Sequence, residues 1–301
     1  MLKIQKYAAI DIGSNAVRLL ISNIIEQEGK PVIFKKNSLV RVPIRLGADV
    51  FINGEISDYN QQRMIDTMMA FSLLIKSHGV VRYKACATSA MREARNSQAL
   101  AEKVLDSCGI NIDIIDGEEE AAIIAETDLH TFIDPNKTYL YVDVGGGSTE
   151  FSIIHNGNKI KSKSFKIGTV RLLNDIVKHQ TWLELESWIK ESTQQYYKIE
   201  LIGSGGNINK IFKISGKDMG KPLTYFYLSS YYKMLQNYSY EERITELNLN
   251  QDRADVIIPA TRIYLSAMKW SGAKDIYVPK IGLSDGIIKS IYYETVSSVT
   301  V

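Results

Sequence analysis

The stretch Val142–Glu150 reads Val-Asp-Val-Gly-Gly-Gly-Ser-Thr-Glu, an apolar strand end that carries a carboxylate and runs into a turn of small residues. A related stretch, Ile10–Arg18, reads Ile-Asp-Ile-Gly-Ser-Asn-Ala-Val-Arg. Each is followed by a second strand, a glycine-containing turn and a third strand. The two aspartates, Asp11 and Asp143, lie 132 residues apart (143 − 11) in a chain of 301 residues. An offset close to half the chain predicts that a whole domain has been duplicated.

Strand-like and helix-like segments alternate in both halves. Apolar segments at Tyr7–Ile12, Val17–Ile25 and Val32–Val42 predict a meander of three strands. Ser57 predicts the N-cap of a helix that ends near Ser77. This alternation predicts the α/β class, with helices packed on mixed sheets.

The predicted domains are 1–130 and 131–301, with a turn at Asp134-Pro135-Asn136 near the boundary. Residues 225–247 are predicted to be helical throughout. A final helix from Leu283 is expected to pack back on the first domain.

Composition narrows the function classes. The chain is 45% hydrophobic and 23% charged, with a formal net charge of +2, which is typical of a soluble globular protein. Lysines and arginines are distributed along the sequence without a basic cluster, so we expect no nucleic-acid partner. For the same reason we expect the affinity for a polyanion to rise only modestly with its length. Two isolated cysteines, Cys86 and Cys108, favour a reduced compartment. The start of the chain is not a signal peptide and no apolar run is long enough to span a bilayer, so we predict a cytoplasmic protein without membrane contact.

The two aspartate-led turns have the composition of phosphate-binding loops. Small residues let backbone N–H groups approach an anion closely, and a neighbouring carboxylate suits a divalent cation. A turn that merely reverses the chain is the alternative, and the presence of two copies in register weighs against it. A third glycine-rich turn, Gly203–Gly206, precedes a predicted helix whose N-terminus favours anions, although a structural turn explains it equally well.

Charged side chains near these turns are further candidates. Glu118, Glu119 and Glu120 open a predicted helix, where they either complement its dipole or supply a general base. Arg92 follows a strand end rich in small residues, where it either grips a phosphate or forms a surface salt bridge. Arg18 and Glu150 occupy equivalent positions in the two copies, which suits one half to anion binding and the other to metal and water. An ion pair between Arg18 and Glu150 is the alternative.

Several blocks together resemble one family. The chain is similar to the exopolyphosphatase/guanosine pentaphosphatase (Ppx/GppA) family, as a short single-module member, from residue 8 to residue 286. The resemblance implies two RNase H-like lobes of the actin-like superfamily that also contains sugar kinases and chaperones, with the site in a cleft between the lobes. The blocks are Ala9–Ile21, Ala87–Asn96, Gly117–Ala121, Val142–Glu150, Ile167–Leu172, Gly203–Gly206 and Arg253–Ile257.

The resemblance also implies roles. It implies hydrolysis of terminal phosphate from inorganic polyphosphate, guanosine pentaphosphate or both, with Mg²⁺ or Mn²⁺. Glu120 matches the family's proposed base, with Glu150 as the other candidate, and Arg92 matches its arginine. Asp143 and Asp11 are the expected metal ligands. The expected phosphate-binding residues are Gly13, Ser14, Asn15, Arg18, Gly145, Gly146, Gly147, Ser148, Thr149, Gly203, Gly205 and Gly206.

The chain departs from the family in places. An arginine is common in the family where this chain reads Gly282–Gly286, so one phosphate or nucleotide contact there does not carry over. Ala48 stands where a glutamate is common, so a side-chain role at this position does not carry over either. The additional C-terminal region of longer relatives is not in this sequence, which predicts weak processivity.

Other functions remain open at this point. A kinase of the same fold would need an acceptor pocket, and a filament or chaperone would show ATP-driven assembly or peptide binding. A sensor of polyphosphate or nucleotide would bind without turnover. The expected partners are the substrate and, in a homodimer, a second copy of the chain.

Overall fold

The computed structural model describes residues 2–125, 127 and 132–299. The chain divides into two compact units. The first contains the residues up to Thr127 together with the segment from Leu283 onward, and the second contains the chain between them, up to Gly282. The predicted boundary at residues 130/131 falls outside the described residues and stays a prediction. Every helix within the described ranges is too short or too polar to cross a membrane.

The elements alternate in type along both units. In the first unit they are β1 (Leu2–Ile12), β2 (Val17–Gln27), β3 (Ile33–Val42), α1 (Leu46–Asn53), α2 (Asp58–Ser77), β4 (Arg82–Ala87), α3 (Ser89–Glu93), α4 (Ser97–Cys108), β5 (Ile112–Ile114) and α5 (Gly117–Ala125). In the second unit they are β6 (Thr138–Val144), β7 (Thr149–His155), β8 (Asn158–Phe165), α6 (Thr169–Leu173), α7 (His179–Thr193), β9 (Ile199–Ser204), α8 (Gly206–Ile214), β10 (Leu223–Thr224), α9 (Tyr225–Gln236), α10 (Tyr240–Thr245), α11 (Gln251–Ala254), α12 (Ile257–Ser271) and β11 (Asp275–Tyr277). The last helix, α13 (Leu283–Val299), belongs to the first unit.

The two sheets share one topology. The first has the order β3-β2-β1-β4-β5, in which β1, β2 and β3 are antiparallel and β4 and β5 run parallel to β1. The second has the order β8-β7-β6-β9-β11-β10, with the same directions over its first five strands. This is the RNase H-like arrangement, and it occurs twice. The predicted fold class, α/β with two duplicated RNase H-like lobes, is confirmed.

Local signals explain most element boundaries. The Ser57 side chain accepts a hydrogen bond from the N–H of Asn60 and caps α2, as predicted. The prediction that 225–247 is helical throughout holds for α9 and α10 but is wrong between Gln236 and Tyr240, where one helix ends and the next begins. Ser239 and Glu242 form a capping box, with reciprocal side-chain and backbone bonds, and this starts α10.

Each unit has its own apolar core. The first packs Ile10 and Leu19 of the sheet against Phe71 of α2. The second packs Val142 and Phe151 against helices α7, α8 and α12. Fully burying a side chain of this size contributes roughly 1.5–3 kcal/mol to stability. These cores fix the strand ends from which the aspartate-led loops emerge.

Helix α13 packs on β1, β2, β4 and α5 of the first unit. The approach to α5 is close, since a Cβ on Gly286 would lie 2.2 Å from the carbonyl oxygen of Ile123. A glycine is therefore required at this crossing. The contact positions α5, which carries Glu120.

Candidate active site

The loop between β1 and β2, residues 12–16, is held by its carbonyl groups. Across the turn, the N–H of Gly13 donates to the carbonyl of Ala16 at 3.2 Å. The carbonyl of Ser14 accepts from Gly47 N–H at 2.8 Å, and that of Asn15 accepts from Arg45 N–H at 3.1 Å. The start of α1 therefore tethers this loop.

The loop between β6 and β7, residues 144–148, is tethered in the same way. The N–H of Gly145 donates to the carbonyl of Ser148 at 3.0 Å. The start of α6 supplies the other donors: the carbonyl of Gly145 accepts from Thr169 N–H at 3.0 Å and that of Gly146 accepts from Val170 N–H at 2.8 Å. The two loops thus share a hydrogen-bond scheme, as the duplication predicts.

Two residues that we did not single out by role complete the second loop. Nε of Arg171, which is buried, donates to the carbonyl of Gly147 at 2.7 Å. A Cβ on Gly168 would lie 2.3 Å from the carbonyl oxygen of Gly146, so only glycine permits this packing. Both lie in the block Ile167–Leu172. The resemblance of this block to the family was the only sequence feature that could have pointed to them.

The tethered carbonyls leave donors on the second loop. Within the described ranges, the N–H groups of Gly146, Gly147 and Ser148 donate to no protein acceptor. Successive N–H groups in a tight turn form a concave site that favours anions. This arrangement is the one expected of a phosphate-binding loop.

Two carboxylates flank this loop. Asp143 and Glu150 are directly opposite each other in the β6–β7 pair. Glu150 is buried, and its Oε1 accepts hydrogen bonds from the hydroxyls of Ser148 at 2.7 Å and Ser164 at 3.0 Å. Side chains directly opposite in an antiparallel pair lie on the same face of the sheet, so both carboxylates lie on one side.

The third glycine-rich segment lies beside Asp143. Gly203 and Ser204 belong to β9, so the turn begins only at Gly205, whose φ is 111°. A Cβ on Gly205 would lie 2.8 Å from the Val144 carbonyl oxygen and 3.4 Å from Oδ1 of Asp143. Gly205 is therefore needed both for its backbone conformation and for the close approach to the carboxylate.

Two buried phenols adjoin Asp143. Burial, and then the negative charge of Asp143, raise the pKa of Tyr264 and Tyr141 well above the ordinary value. The hydroxyl of Tyr264 donates to the carbonyl of Ser204. Both phenols therefore stay neutral at physiological pH.

The corresponding charges in the first unit are paired. Arg18 Nη1 lies 3.1 Å from Oδ2 of Asp11, its opposite residue in the β1–β2 pair. Asp11 is 5% exposed, and burial raises its pKa, while Arg18 and a hydrogen bond with Ser284 oppose the rise. The predicted phosphate contact of Arg18 and metal contact of Asp11 stay predictions, because each side chain is engaged with the other.

Burial separates the three glutamates of α5. The carboxylate of Asp116 caps this helix and accepts from the N–H groups of Glu118 at 2.9 Å and Glu119 at 2.8 Å. Glu118 and Glu119 are exposed, whereas Glu120 is 9% exposed. Burial of a carboxylate is unusual without a structural or chemical reason. Glu120 therefore remains the strongest candidate for the base in this unit.

Arg92 supports the same helix. Its Nη1 donates to the carbonyl of Ile115, just before α5, at 2.5 Å. Ser89, on the same short helix α3, shares a hydrogen bond with Ser14 of the first loop, Oγ to Oγ, at 2.9 Å. Helix α3 thus links the first loop to the start of α5, and the phosphate contact of Arg92 stays a prediction.

The donor set of the second loop suits Mg²⁺. This ion prefers oxygen ligands and binds through one or two carboxylates, with water and substrate phosphate completing its shell. Asp143 and Glu150 supply such carboxylates on one face of the sheet. In the described part of the chain, no three His, Cys, Asp or Glu side chains converge on one point. Two carboxylates on one face are the number that such an ion usually takes from a protein.

A cavity of about 700 Å³ lies elsewhere in the second unit, at the start of β6 rather than at its Asp143 end. It is lined in part by Lys137 and Lys198. Both ammonium groups lie 3.2 Å from Oε1 of the buried Glu200. One carboxylate thus offsets part of their positive charge, and we leave this cavity outside the candidate site.

Comparison with known proteins places the chain in a family. The model of the Ppx/GppA phosphatase family matches residues 26–294. A bifunctional 3-dehydroquinate synthase/phosphatase of Fusobacterium nucleatum is 28% identical over 294 residues, which cover 90% of this chain and 44% of that protein. A guanosine-5'-triphosphate,3'-diphosphate pyrophosphatase of Photobacterium profundum is 27% identical over 310 residues, which cover 97% of this chain and 60% of that protein. The chain thus spans 44% and 60% of the lengths of these two relatives.

Solved structures agree in fold. The Ppx/GppA family member from Aquifex aeolicus superposes with a TM-score of 0.75 at 25% identity, covering 97% of this chain and 99% of that one. An exopolyphosphatase from Cytophaga hutchinsonii superposes with a TM-score of 0.81 at 22% identity, covering 98% of both chains. The predicted resemblance is confirmed by the match of the family model to most of the sequence. The chain belongs to the Ppx/GppA phosphatase family.

Proposed function

We propose that this chain hydrolyses the terminal phosphoanhydride bond of inorganic polyphosphate, guanosine pentaphosphate or both. The observation that carries the proposal is the loop at residues 144–148. There, three successive N–H groups have no protein acceptor in the described structure, and two carboxylates flank the turn. Membership of the Ppx/GppA phosphatase family supports phosphatase chemistry. The Photobacterium relative is named a guanosine-5'-triphosphate,3'-diphosphate pyrophosphatase, which supports a guanosine polyphosphate as one candidate substrate.

The N–H groups of Gly146, Gly147 and Ser148 are proposed to bind oxygens of the terminal phosphate. Charge spreads onto these oxygens as the phosphoryl group transfers, and fixed donors stabilise that charge without reorganising. Arg171 and the start of α6 hold the loop carbonyls away, so these N–H groups keep their arrangement. In the first unit, Arg18, Arg92 and the N–H groups at Gly13–Asn15 are proposed to add anion contacts.

The reaction needs one water molecule. Its oxygen attacks the terminal phosphorus, the bond from phosphorus to the bridging oxygen breaks, and the bridging oxygen leaves with the shortened chain. The proton of the water passes to a carboxylate, which we assign to Glu120. Glu150 is the weaker candidate, because its Oε1 already accepts two hydroxyl hydrogen bonds. The products are orthophosphate and a substrate shorter by one phosphate.

We propose Mg²⁺, or Mn²⁺, as the cofactor, with Asp143 as main ligand and Glu150 or Asp11 assisting. When bound, such an ion neutralises charge on the phosphate oxygens. Asp143 is the better ligand of the two aspartates because Asp11 is already paired with Arg18. We further propose that the chain acts in the cytoplasm, which agrees with two cysteines that form no disulfide.

The proposal is tested by measuring orthophosphate release from tripolyphosphate, long-chain polyphosphate and guanosine pentaphosphate, side by side. We expect release from at least one substrate with Mg²⁺, none after chelation with EDTA, and recovery when Mg²⁺ or Mn²⁺ is returned. Full activity in metal-free buffer would remove the metal from the scheme. Transfer of phosphate to a second substrate instead of water would indicate a kinase.

A further inference from the structure

Helix α12 places a buried phenol at the strand ends beside Asp143. The helix packs on β6 and β9, and Tyr264 on it is 0% exposed. The hydroxyl of Tyr264 donates to the carbonyl of Ser204, the last residue of β9. Ser204 is the residue opposite Asp143 in the β6–β9 pair, so this hydrogen bond lies next to the proposed metal ligand.

The turn that follows Ser204 is packed against three oxygen atoms. A Cβ on Gly205 would lie 2.8 Å from the carbonyl oxygen of Val144, 3.3 Å from Oη of Tyr264 and 3.4 Å from Oδ1 of Asp143. The phenol and the carboxylate therefore meet at the same side of one glycine. A shift of this turn would change the space in which the Asp143 carboxylate lies.

Ser204 is fixed from two directions. Its carbonyl accepts from Tyr264, and its hydroxyl donates to the carbonyl of Ile281 at 3.0 Å. Ser204 is buried, so bulk water cannot replace either partner. Without the phenol hydroxyl, the end of β9 would lose one of these two side-chain anchors.

The first unit orients its aspartate in another way. Arg18, opposite Asp11, lies 3.1 Å from that carboxylate. The residue opposite Asp143 is Glu150, whose like charge cannot serve as such a partner. Contacts outside the ligands commonly orient the carboxylates of a metal site. The packing of Asp143 beside Gly205 and Tyr264 is a contact of this kind.

A neutral phenol suits this place. Burial, and then the charge of Asp143, raise the pKa of Tyr264 well above its ordinary value, so the hydroxyl remains a donor at physiological pH. An uncharged donor does not compete with a cation for Asp143. Phenylalanine would fill nearly the same space without the hydroxyl, which allows the role of the hydroxyl to be isolated.

We propose that Tyr264 is a positioning residue, which holds the β9–α8 turn against Asp143 and so fixes this carboxylate for a divalent cation. The proposal rests on the proposed function, in which Asp143 is the main metal ligand. The alternative is a structural phenol that only fills the core and satisfies one carbonyl. A structural phenol affects stability alone, whereas a positioning residue also changes the cation affinity of the folded protein.

The test compares Tyr264→Phe with Tyr139→Phe and the unmodified chain. Tyr139 is also buried and its hydroxyl accepts from the N–H of Asp134 at 3.0 Å, but it lies at the other end of β6 from Asp143. Binding of Mn²⁺ without substrate is measured by electron paramagnetic resonance. Orthophosphate release from tripolyphosphate is measured as a function of Mg²⁺ concentration, at a temperature well below the melting temperature of every variant.

We expect Tyr264→Phe to weaken Mn²⁺ binding about tenfold and to raise the Mg²⁺ concentration for half-maximal turnover by a similar factor. Its KM for tripolyphosphate at saturating Mg²⁺ should stay unchanged. Tyr139→Phe should match the unmodified chain in both cation measurements, although it too loses a hydrogen bond. Unchanged Mn²⁺ affinity in Tyr264→Phe, equal losses in both variants, or no Mn²⁺ binding to the unmodified chain would overturn the proposal.

Ser204→Ala serves as a second variant if Tyr264→Phe does not fold. It removes the hydroxyl that bonds to Ile281 and so loosens the same turn from its other side. We expect weaker Mn²⁺ binding here as well, and an unchanged affinity would overturn the proposal.

Failure of the proposed function has a different signature. Mn²⁺ binding that depends on Tyr264, without orthophosphate release from any substrate, would leave the positioning role standing and remove hydrolysis. Mg²⁺-dependent hydrolysis with a cation requirement that Tyr264→Phe does not alter would leave hydrolysis standing and remove the positioning role.

Discussion

The two aspartate-led loops share a backbone and differ in charge. In both, the turn closes on itself and a following helix tethers the carbonyls, through α1 in the first unit and α6 in the second. The residue opposite the aspartate differs: Arg18 neutralises Asp11, whereas Glu150 adds a second carboxylate beside Asp143. The duplicated scaffold therefore presents one neutralised loop and one loop that suits a cation and a phosphate together.

The largest effect is expected at Glu120, the buried glutamate of α5. If it accepts the proton of water, Glu120→Gln lowers kcat by roughly 10²–10⁴. Substrate affinity should persist, since the change removes a negative charge. The measurement is steady-state orthophosphate release.

Glu118→Gln is the matched control, because Glu118 opens the same helix but is exposed. If a glutamate here only complements the helix dipole, removing its charge costs about 0.3–1 kcal/mol of stability and leaves turnover unchanged. Equal kcat in both variants would remove Glu120 from the mechanism and move the base to Glu150.

The second prediction compares the activity of variants at the two aspartates, Asp143 and Asp11. Asp143→Asn should lower kcat by about 10²–10³, the loss typical of removing a group that stabilises transition-state charge. Asp11→Asn should lower it much less, because Asp11 is already neutralised by Arg18. Titration with Mg²⁺ should show a higher metal requirement only for Asp143→Asn; the opposite order would assign the metal to the first loop.

A smaller effect is expected at Arg171, which we regard as a positioning residue. Arg171→Lys keeps the charge but loses the Nε contact to Gly147. We expect kcat to fall roughly tenfold or more through displacement of the loop, with little change in KM. Stability should fall by about 1–3 kcal/mol because a buried carbonyl loses its donor.

Arg63 offers a structural control in the first unit. Its guanidinium donates to the carbonyls of Pro43 at 3.0 Å and Ile44 at 3.2 Å, just after β3. Arg63→Lys should lower the melting temperature to a similar degree without lowering kcat. If both variants lose kcat equally, Arg171 acts only through stability.

The smallest effect concerns pH. Burial raises the pKa of Asp11 above 3.8, so this group takes up protons on folding and its contribution to stability is lost as pH rises through the folded-state pKa. Asparagine has no such dependence. At pH 7, Asp11→Asn should therefore melt at a higher temperature than the unmodified chain. The gap should close as pH falls toward 3.8; a lower melting temperature at pH 7 would instead show that the pair with Arg18 stabilises the fold.

Local features were predictable from the sequence, and tertiary ones were not. The duplication, the two aspartate-led loops and the N-cap at Ser57 follow from residue patterns that act over a few positions. The tethering donors at Gly47 and Thr169 lie far from the loops in sequence, so only the fold brings them there. The sequence around Ser239 has a continuous helical pattern, but the capping box of Ser239 and Glu242 starts a new helix there. The roles of the predicted site residues stay predictions.

The most direct test of the account is whether phosphate binds the N–H groups of the second loop. Orthophosphate is added to ¹⁵N-labelled protein, and the amide resonances of Gly146, Gly147 and Ser148 are followed by NMR. We expect these three amides to shift most, in a saturable way, with the same apparent affinity that inhibition of turnover reports. Saturable binding that leaves all three unmoved would contradict the account.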